Sequence, residues 1–122
     1  MTAIRTIAAA LSAAVLSAAC GSTQVVQHGT KASMTSSRTP EALIDCVHSN
    51  AKDMNNIMIG LILKRATTAD GHPRLVVDRV LNTFAVVDAE PTTGNGSRAT
   101  VHFGVAGIAP DYYMRQLTQG CA

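Results

Sequence analysis

The stretch TPEALIDCVHSNAKDM, residues 39 to 54, is the strongest helix-forming segment in the chain. Thr39 suits the N-cap, because its hydroxyl can accept a hydrogen bond from an unpaired amide of the first turn. Pro40 suits the first helical position, where no amide hydrogen is required, and Glu41 adds negative charge where the helix dipole favours it. Apolar residues recur at the spacing of a buried helix face, at Leu43, Val47, Ala51 and Met54. The pattern predicts an amphipathic helix with Cys46 beside its buried face.

Four segments after this helix are typical of β-strands. They are bracketed by turn formers and cover residues 57–67, 74–80, 83–90 and 98–105. The first, IMIGLILKRAT, fits a buried helix equally well by periodicity, and a strand is favoured because an Asn pair precedes it and ADGHP follows it. The Asn-Gly pair of TTGNGS favours the positive backbone angles of a tight hairpin. These segments predict an antiparallel sheet of three or four strands.

The last segment, PDYYMRQLTQG, predicts a second helix over residues 110–120. Pro110 and Asp111 can open it, and Gly120 can end it. We therefore expect one α+β domain over residues 39–122. In this arrangement the N-terminal and the C-terminal helix pack on one face of the antiparallel sheet and are joined by a disulfide.

The first twenty residues, MTAIRTIAAALSAAVLSAAC, have the organisation of a secretory signal. Arg5 precedes an uncharged, alanine-rich stretch that extends to Ala19. A membrane-spanning helix needs about 20 apolar residues, so this stretch is too short to serve as one. We predict a signal peptide over residues 1–19, and we read the polar residues 20–38 as a lipidated, flexible tether.

Two peptidases could process this segment. The small residues Ser17, Ala18 and Ala19 suit an ordinary signal peptidase that cuts after Ala19. The same stretch resembles a bacterial lipobox, in which a cysteine, here Cys20, becomes the lipidated first residue. It departs from the usual lipobox pattern, because Leu16 lies one place too far from the cysteine. We predict lipidation of Cys20, with plain secretion as the alternative.

Three cysteines in an exported chain would leave one thiol unpaired in an oxidising compartment. If Cys20 carries lipid, Cys46 and Cys121 form the only possible pair. Their bond would close a loop of about 75 residues, to which the loop-entropy model assigns roughly 4–5 kcal/mol. A small domain has only about 5–15 kcal/mol of stability in total, so this one bond could decide whether it folds.

Charge and motifs exclude several classes of function. Once Arg5 is removed with the signal, nine basic residues face eight acidic ones, which argues against a nucleic-acid partner. The four histidines share no metal-ligand spacing, and TTGNGS lacks the Gly-Lys-Ser/Thr ending of a phosphate-binding loop. We therefore predict no metal, no cofactor and no catalytic residues.

Two pairs of polar residues are candidate surface features. Asp45 and His48 are three residues apart on the first helix and can form a solvated surface pair. Tyr112 and Tyr113 are adjacent on the last helix, so both cannot face the core. The tyrosine that is presented to solvent is a candidate for binding a partner.

The layout of Cys20 after a signal, TPEALIDCV, a β-rich middle, GNGSR before a strand and YYMRQLTQGC resembles the small, mostly uncharacterised lipoproteins of Burkholderia-like proteobacteria. The resemblance implies pairing of the helix cysteine with the one near the carboxyl end, here Cys46 with Cys121. It also implies a possible role as a surface antigen and supplies no catalytic residues. Gly21 stands where an aspartate would retain a lipoprotein in the inner membrane, so the resemblance implies the outer membrane.

These observations predict a non-enzymatic envelope lipoprotein, a binding or accessory domain tethered to the outer membrane through Cys20. We expect a monomer whose partner is an envelope protein or a host antibody, on the periplasmic or the surface face. The alternative is a soluble periplasmic inhibitor or ligand-binding module, for which a compact disulfide-bonded domain also suffices.

Overall fold

The computed structural model describes residues 20–55, 60–104 and 110–122. The predicted signal peptide lies outside these residues, as do residues 57–59 of the first predicted strand and Val105 of the fourth. The elements in chain order are α1 (Cys20–His28), β1 (Thr30–Ser36), α2 (Pro40–Met54), β2 (Ile62–Thr67), β3 (Pro73–Asp78), β4 (Thr83–Pro91), β5 (Ser97–Phe103) and α3 (Pro110–Thr118). The α+β class is as predicted.

The strands form one open antiparallel sheet in the order β1-β5-β4-β3-β2. The sheet has five strands, so the prediction of three or four was wrong. The additional strand is β1, which joins the sheet beside β5 and leaves β1 and β2 as its two edges.

Residues 30–36 are a strand and not part of a flexible tether, which corrects our interpretation of the sequence. Ala32 and Met34 pack against the core, while Lys31 and Thr35 are exposed. Small and polar residues hide this alternation in the sequence. The strand forms because its backbone pairs with β5 over seven residues in register.

The first part of the predicted tether is also ordered, as the helix α1. Val25 is 8% exposed and lies against Gly104 at the end of β5. A Cβ on Gly104 would lie 2.6 Å from Cγ2 of Val25 and would also collide with the carbonyl oxygen of Thr83. Only glycine at position 104 therefore allows α1 to pack this closely on the sheet. A search of the sequence for amphipathic patterns does not reveal this contact.

Helix α2 is confirmed in its cap, its bounds and its buried face. The Thr39 hydroxyl accepts a hydrogen bond from the amide of Ala42 at 3.2 Å. The four predicted apolar residues are buried, together with Ile44. At the other end, the Asn55 side chain accepts a hydrogen bond from the Leu61 amide, immediately before β2. The cap, the buried face and the Asn55 hydrogen bond together hold α2 between the two ends of the sheet.

Side-chain alternation gives the sheet two chemically different faces. One face is apolar, with the cross-strand row Val101, Val87 and Leu75, and forms the core with α2 and α3. The other, which we call the polar face, carries a row across all five strands, formed by Lys31, His102, Val86, Val76 and Lys64. The adjacent row on the polar face contains Thr100, Asp88 and Arg74.

The sheet also has two distinct ends. At one, which we call the clamp end, β1 and β4 finish at Ser36 and Pro91, and α3 finishes nearby at Thr118. At the other, which we call the open end, β1 begins after α1, β3 turns into β4, and β2 begins. Helices α2 and α3 connect the two ends in opposite directions.

Candidate functional site

The predicted cysteine pair is formed at the clamp end. Cys46 of α2 is bonded to Cys121, with their Cα atoms 5.8 Å apart. Cys121 is fully buried, and Cys46 packs at the margin of the core. The bond therefore fixes the chain after α3 to the middle of α2, as both the cysteine count and the family resemblance implied.

Polar side chains reinforce this disulfide, and we call the assembly the C-terminal clamp. The Asn50 amide donates 2.9 Å hydrogen bonds to the carbonyl oxygens of Leu117 and Gln119. The Ser36 hydroxyl donates to the Cys121 carbonyl at 2.6 Å. These bonds satisfy the Leu117 carbonyl, in the last turn of α3, and the carbonyls of two residues that follow the helix.

Arg38 extends the clamp to the turn between β1 and α2. Its guanidinium donates to the Gly120 carbonyl at 2.9 Å, and its own carbonyl accepts from the Ser97 hydroxyl at 2.7 Å. Sequence reasoning missed Arg38 and Ser36, because both lie in the segment interpreted as a tether. Asn50 was detectable in principle, since it follows Cys46 by four residues and shares its side of α2.

A second cluster lies on the polar face and was not predicted. Arg74 of β3 donates two hydrogen bonds to the Asp88 carboxylate of β4, at 2.5 Å and 2.8 Å. His102 of β5 places its Nε2 3.8 Å from the same carboxylate. The side chains of Asp88 and His102 are 10% and 6% exposed. The cluster thus connects three adjacent strands through one buried carboxylate.

Burial and charge set the protonation of this cluster. Burial lowers the pKa of His102, the Asp88 carboxylate opposes that shift, and the cations Lys31 and Arg74 lower it further. The hydrogen bonds to Asp88 raise the pKa of Arg74 above its usual value. Because its pKa is lowered from 6.5, His102 is a neutral imidazole at pH 7.

The geometry of the cluster fits a role in fixing the register of the strands better than it fits a catalytic role. Both oxygens of Asp88 are taken by Arg74, and Nδ1 of His102 is buried with no hydrogen-bond partner among the described residues. A substrate would have little access to either group. A shift of one residue between β3 and β4 would bury Asp88 without its arginine, so the pair penalises such slippage.

The predicted Asp45–His48 surface pair is organised by a third residue. The Arg65 side chain of β2 donates to Asp45 at 2.7 Å and to Nδ1 of His48 at 3.1 Å. Burial and the charge of Arg65 lower the pKa of His48. The cluster is exposed, so it joins α2 to the edge strand only weakly.

Tyr112 and Tyr113 have different environments, as expected for adjacent residues on a helix. Tyr113 packs edge-on against Phe84, with ring centroids 5.1 Å apart, and faces the core. Tyr112 is 47% exposed and stacks edge-on against Tyr113. Tyr112 is thus the tyrosine presented to solvent.

The lipidation candidate Cys20 is the first residue of α1. Among residues 20–55, 60–104 and 110–122, no three metal-ligating side chains lie together. None of the helices in the described part of the chain is long and apolar enough to cross a bilayer.

Comparisons with known proteins add no further identification. No family model, no curated protein and no solved structure matches this chain.

Proposed function

We propose that this chain is a non-enzymatic domain of the bacterial cell envelope, held at the outer membrane by lipid on Cys20. The Cys46–Cys121 disulfide carries the proposal. Such bonds form and persist in oxidising compartments, so the bond favours export of the domain. It also leaves Cys20 as the one cysteine outside the pair, directly after a segment with the composition of a secretory signal.

The role of the domain is to bind or assist another envelope component, and it is also a possible surface antigen. Tyr112 supports a binding role, because an exposed aromatic ring offers apolar area and a hydroxyl at low conformational cost. The charged cluster on the polar face supports a structural role, because Arg74 and Asp88 form a salt bridge with each other.

The anchor is tested by replacing Cys20→Ser in the full chain and fractionating the cells. The wild-type protein is expected in the membrane fraction, and the variant in the soluble fraction. Ser22→Ala, two residues further along α1, is the matched control and should leave recovery unchanged. Equal membrane recovery of Cys20→Ser and wild type would refute the anchor.

The intact mass of the mature protein gives an independent test. We expect a chain that begins at Cys20, carries acyl groups and lacks two hydrogens because of the disulfide. The variant Ser17→Leu places leucine at the usual lipobox position and should raise the lipidated fraction. A mature chain without added lipid would favour ordinary secretion.

A soluble periplasmic binding module is the second candidate, and the open sheet favours it. The edge strand β2 is exposed at five of its six positions, and its backbone can pair with an extended segment of a partner. Retention of a soluble enzyme or peptide from a periplasmic extract supports this candidate. Retention of a membrane protein from an envelope extract supports the anchored accessory domain.

A further inference from the structure

Exposed apolar side chains concentrate at the open end. The large hydrophobic residues exposed in the described part of the chain are Ile62 (49%), Val80 (81%), Leu81 (95%) and Tyr112 (47%). Ile62 is the first residue of β2, and Tyr112 is in the first turn of α3. Val80 and Leu81 form the tip of the β3–β4 hairpin. All four positions therefore lie at the open end.

Folding does not require apolar residues at the β3–β4 tip. The turn closes through backbone, with the Arg79 amide donating to the Asn82 carbonyl at 2.7 Å. The β4–β5 hairpin at the clamp end closes in the same way, through the Thr92 amide and the Gly96 carbonyl, with a polar tip around Asn95. Two hairpins of one sheet thus differ in the chemistry of their tips.

Helix α1 keeps the proposed anchor within a short distance of the open end. Val25 of α1 lies against Gly104, whose added Cβ would also meet the Thr83 carbonyl, the start of the strand that follows the apolar tip. Cys20 precedes Val25 by five residues, which is about 7.5 Å along a helix axis. With α1 and β1 ordered, no long tether separates the anchor from the sheet.

We propose that the open end is a docking surface for a phospholipid bilayer, with Val80 and Leu81 inserted at the membrane–water interface. Arg79, exposed beside the tip, supplies positive charge for anionic headgroups. The orientation rests on the lipid anchor proposed above. The clamp end then faces away from the bilayer.

The test is a depth measurement on the full lipidated chain in vesicles of phosphatidylethanolamine and phosphatidylglycerol. An environment-sensitive fluorophore is attached at Asn82→Cys, which leaves Val80 and Leu81 intact, and at Asn95→Cys as the matched clamp-end control. We expect a blue-shifted emission at position 82, with quenching by lipid-borne and not by water-soluble quenchers. Position 95 should show the reverse.

Replacing Val80→Ser together with Leu81→Ser should reduce the lipid-phase quenching at position 82 to the level at position 95. Thr93→Ser, at the polar tip, is the matched substitution and should change nothing. A label at position 82 that remains in water while the protein is lipidated and membrane-bound overturns the docking surface and leaves the anchor intact.

The lipid anchor and the docking surface can be refuted independently of each other. Mature protein that its host produces without lipid, and that still places position 82 in lipid, refutes the anchor and retains the docking surface. Shielding of position 82 in native envelopes but not in protein-free vesicles means that a protein covers the tip, and this outcome also overturns bilayer docking.

Discussion

The two ends of this sheet are built from different chemistry. At the clamp end, one disulfide and hydrogen bonds from Asn50, Ser36 and Arg38 hold the last residues of the chain. At the open end, Val80 and Leu81 project into solvent, and α1 packs through Val25. Stability and surface chemistry are therefore separated in space, because the bonds that hold the fold lie away from the exposed apolar tip.

The largest effect is expected from removing the disulfide. Cys46→Ser with Cys121→Ser should lower the free energy of unfolding by about 4–5 kcal/mol, since the unfolded chain regains the entropy of a loop of 75 residues. Urea unfolding of the purified protein measures this loss. Cys20→Ser is the control and should unfold like wild type, while an unchanged double variant would show that the clamp does not carry the fold.

The next largest effect concerns the polar face, which lies between the two ends. Asp88→Asn removes the partner of Arg74 and should cost about 3 kcal/mol, because a partly buried guanidinium loses its counter-charge. Asp45→Asn breaks an exposed pair with the Arg65 side chain and should cost about 0.5 kcal/mol. Urea unfolding of both variants compares them directly, and equal losses would contradict the structural role of the polar-face cluster.

A smaller effect is expected inside the clamp. Asn50→Ala removes hydrogen bonds to two carbonyl oxygens and should cost about 1–2 kcal/mol. Amide exchange should accelerate for residues 117–121 and remain unchanged at the β3–β4 tip. Uniform acceleration across the sheet would mean that the two ends are not independent.

The pH dependence of stability tests the environment of His102. Its folded pKa lies below the ordinary value of 6.5, mainly because of burial, so the unfolded chain binds the proton more readily. Stability is therefore complete above about pH 6.5 and falls as the pH drops toward the folded pKa, by at most about 1.4 kcal/mol per pH unit. His102→Gln should flatten this decline in urea titrations at several pH values. An unaltered decline in His102→Gln would assign it to other groups.

The smallest effect is expected at the open end. Val80→Ser with Leu81→Ser should change the free energy of unfolding by less than about 0.5 kcal/mol, because both side chains are already in solvent. Thermal unfolding of the protein in detergent-free buffer measures it. A large loss would show that the tip packs within the fold, and the contrast between the two ends would then disappear.

Local chemistry made the central elements predictable. The Thr39 cap, Pro40 and the apolar spacing of α2 act within a few residues, so the sequence alone located this helix and its buried face. Pro110 and Asp111 did the same for the start of α3. The disulfide followed from the count of three cysteines and from the hypothesis that Cys20 carries lipid, which leaves a single pair.

Longer-range contacts explain what sequence reasoning missed. Residues 30–36 are small and polar, and they become a strand because β5 offers its unpaired backbone edge. Arg74 and Asp88 are 14 residues apart and meet only when β3 and β4 pair in register. The open end also depends on long-range contacts, because it combines the β3–β4 tip, the start of α3 and the edge strand β2, which are distant in the sequence.

Local forces specify the features that could be predicted without the fold: the capped helix α2, the α+β class, and a cysteine pair with a third cysteine after a signal-like segment. Only folding of the chain creates the fifth strand, the polar-face ion pair and the group of exposed apolar residues at one end. The two sets of features differ in the sequence range of the interactions that create them. Caps and periodicity act over a turn of helix, whereas strand pairing and the two ends of a sheet exist only after distant segments have met.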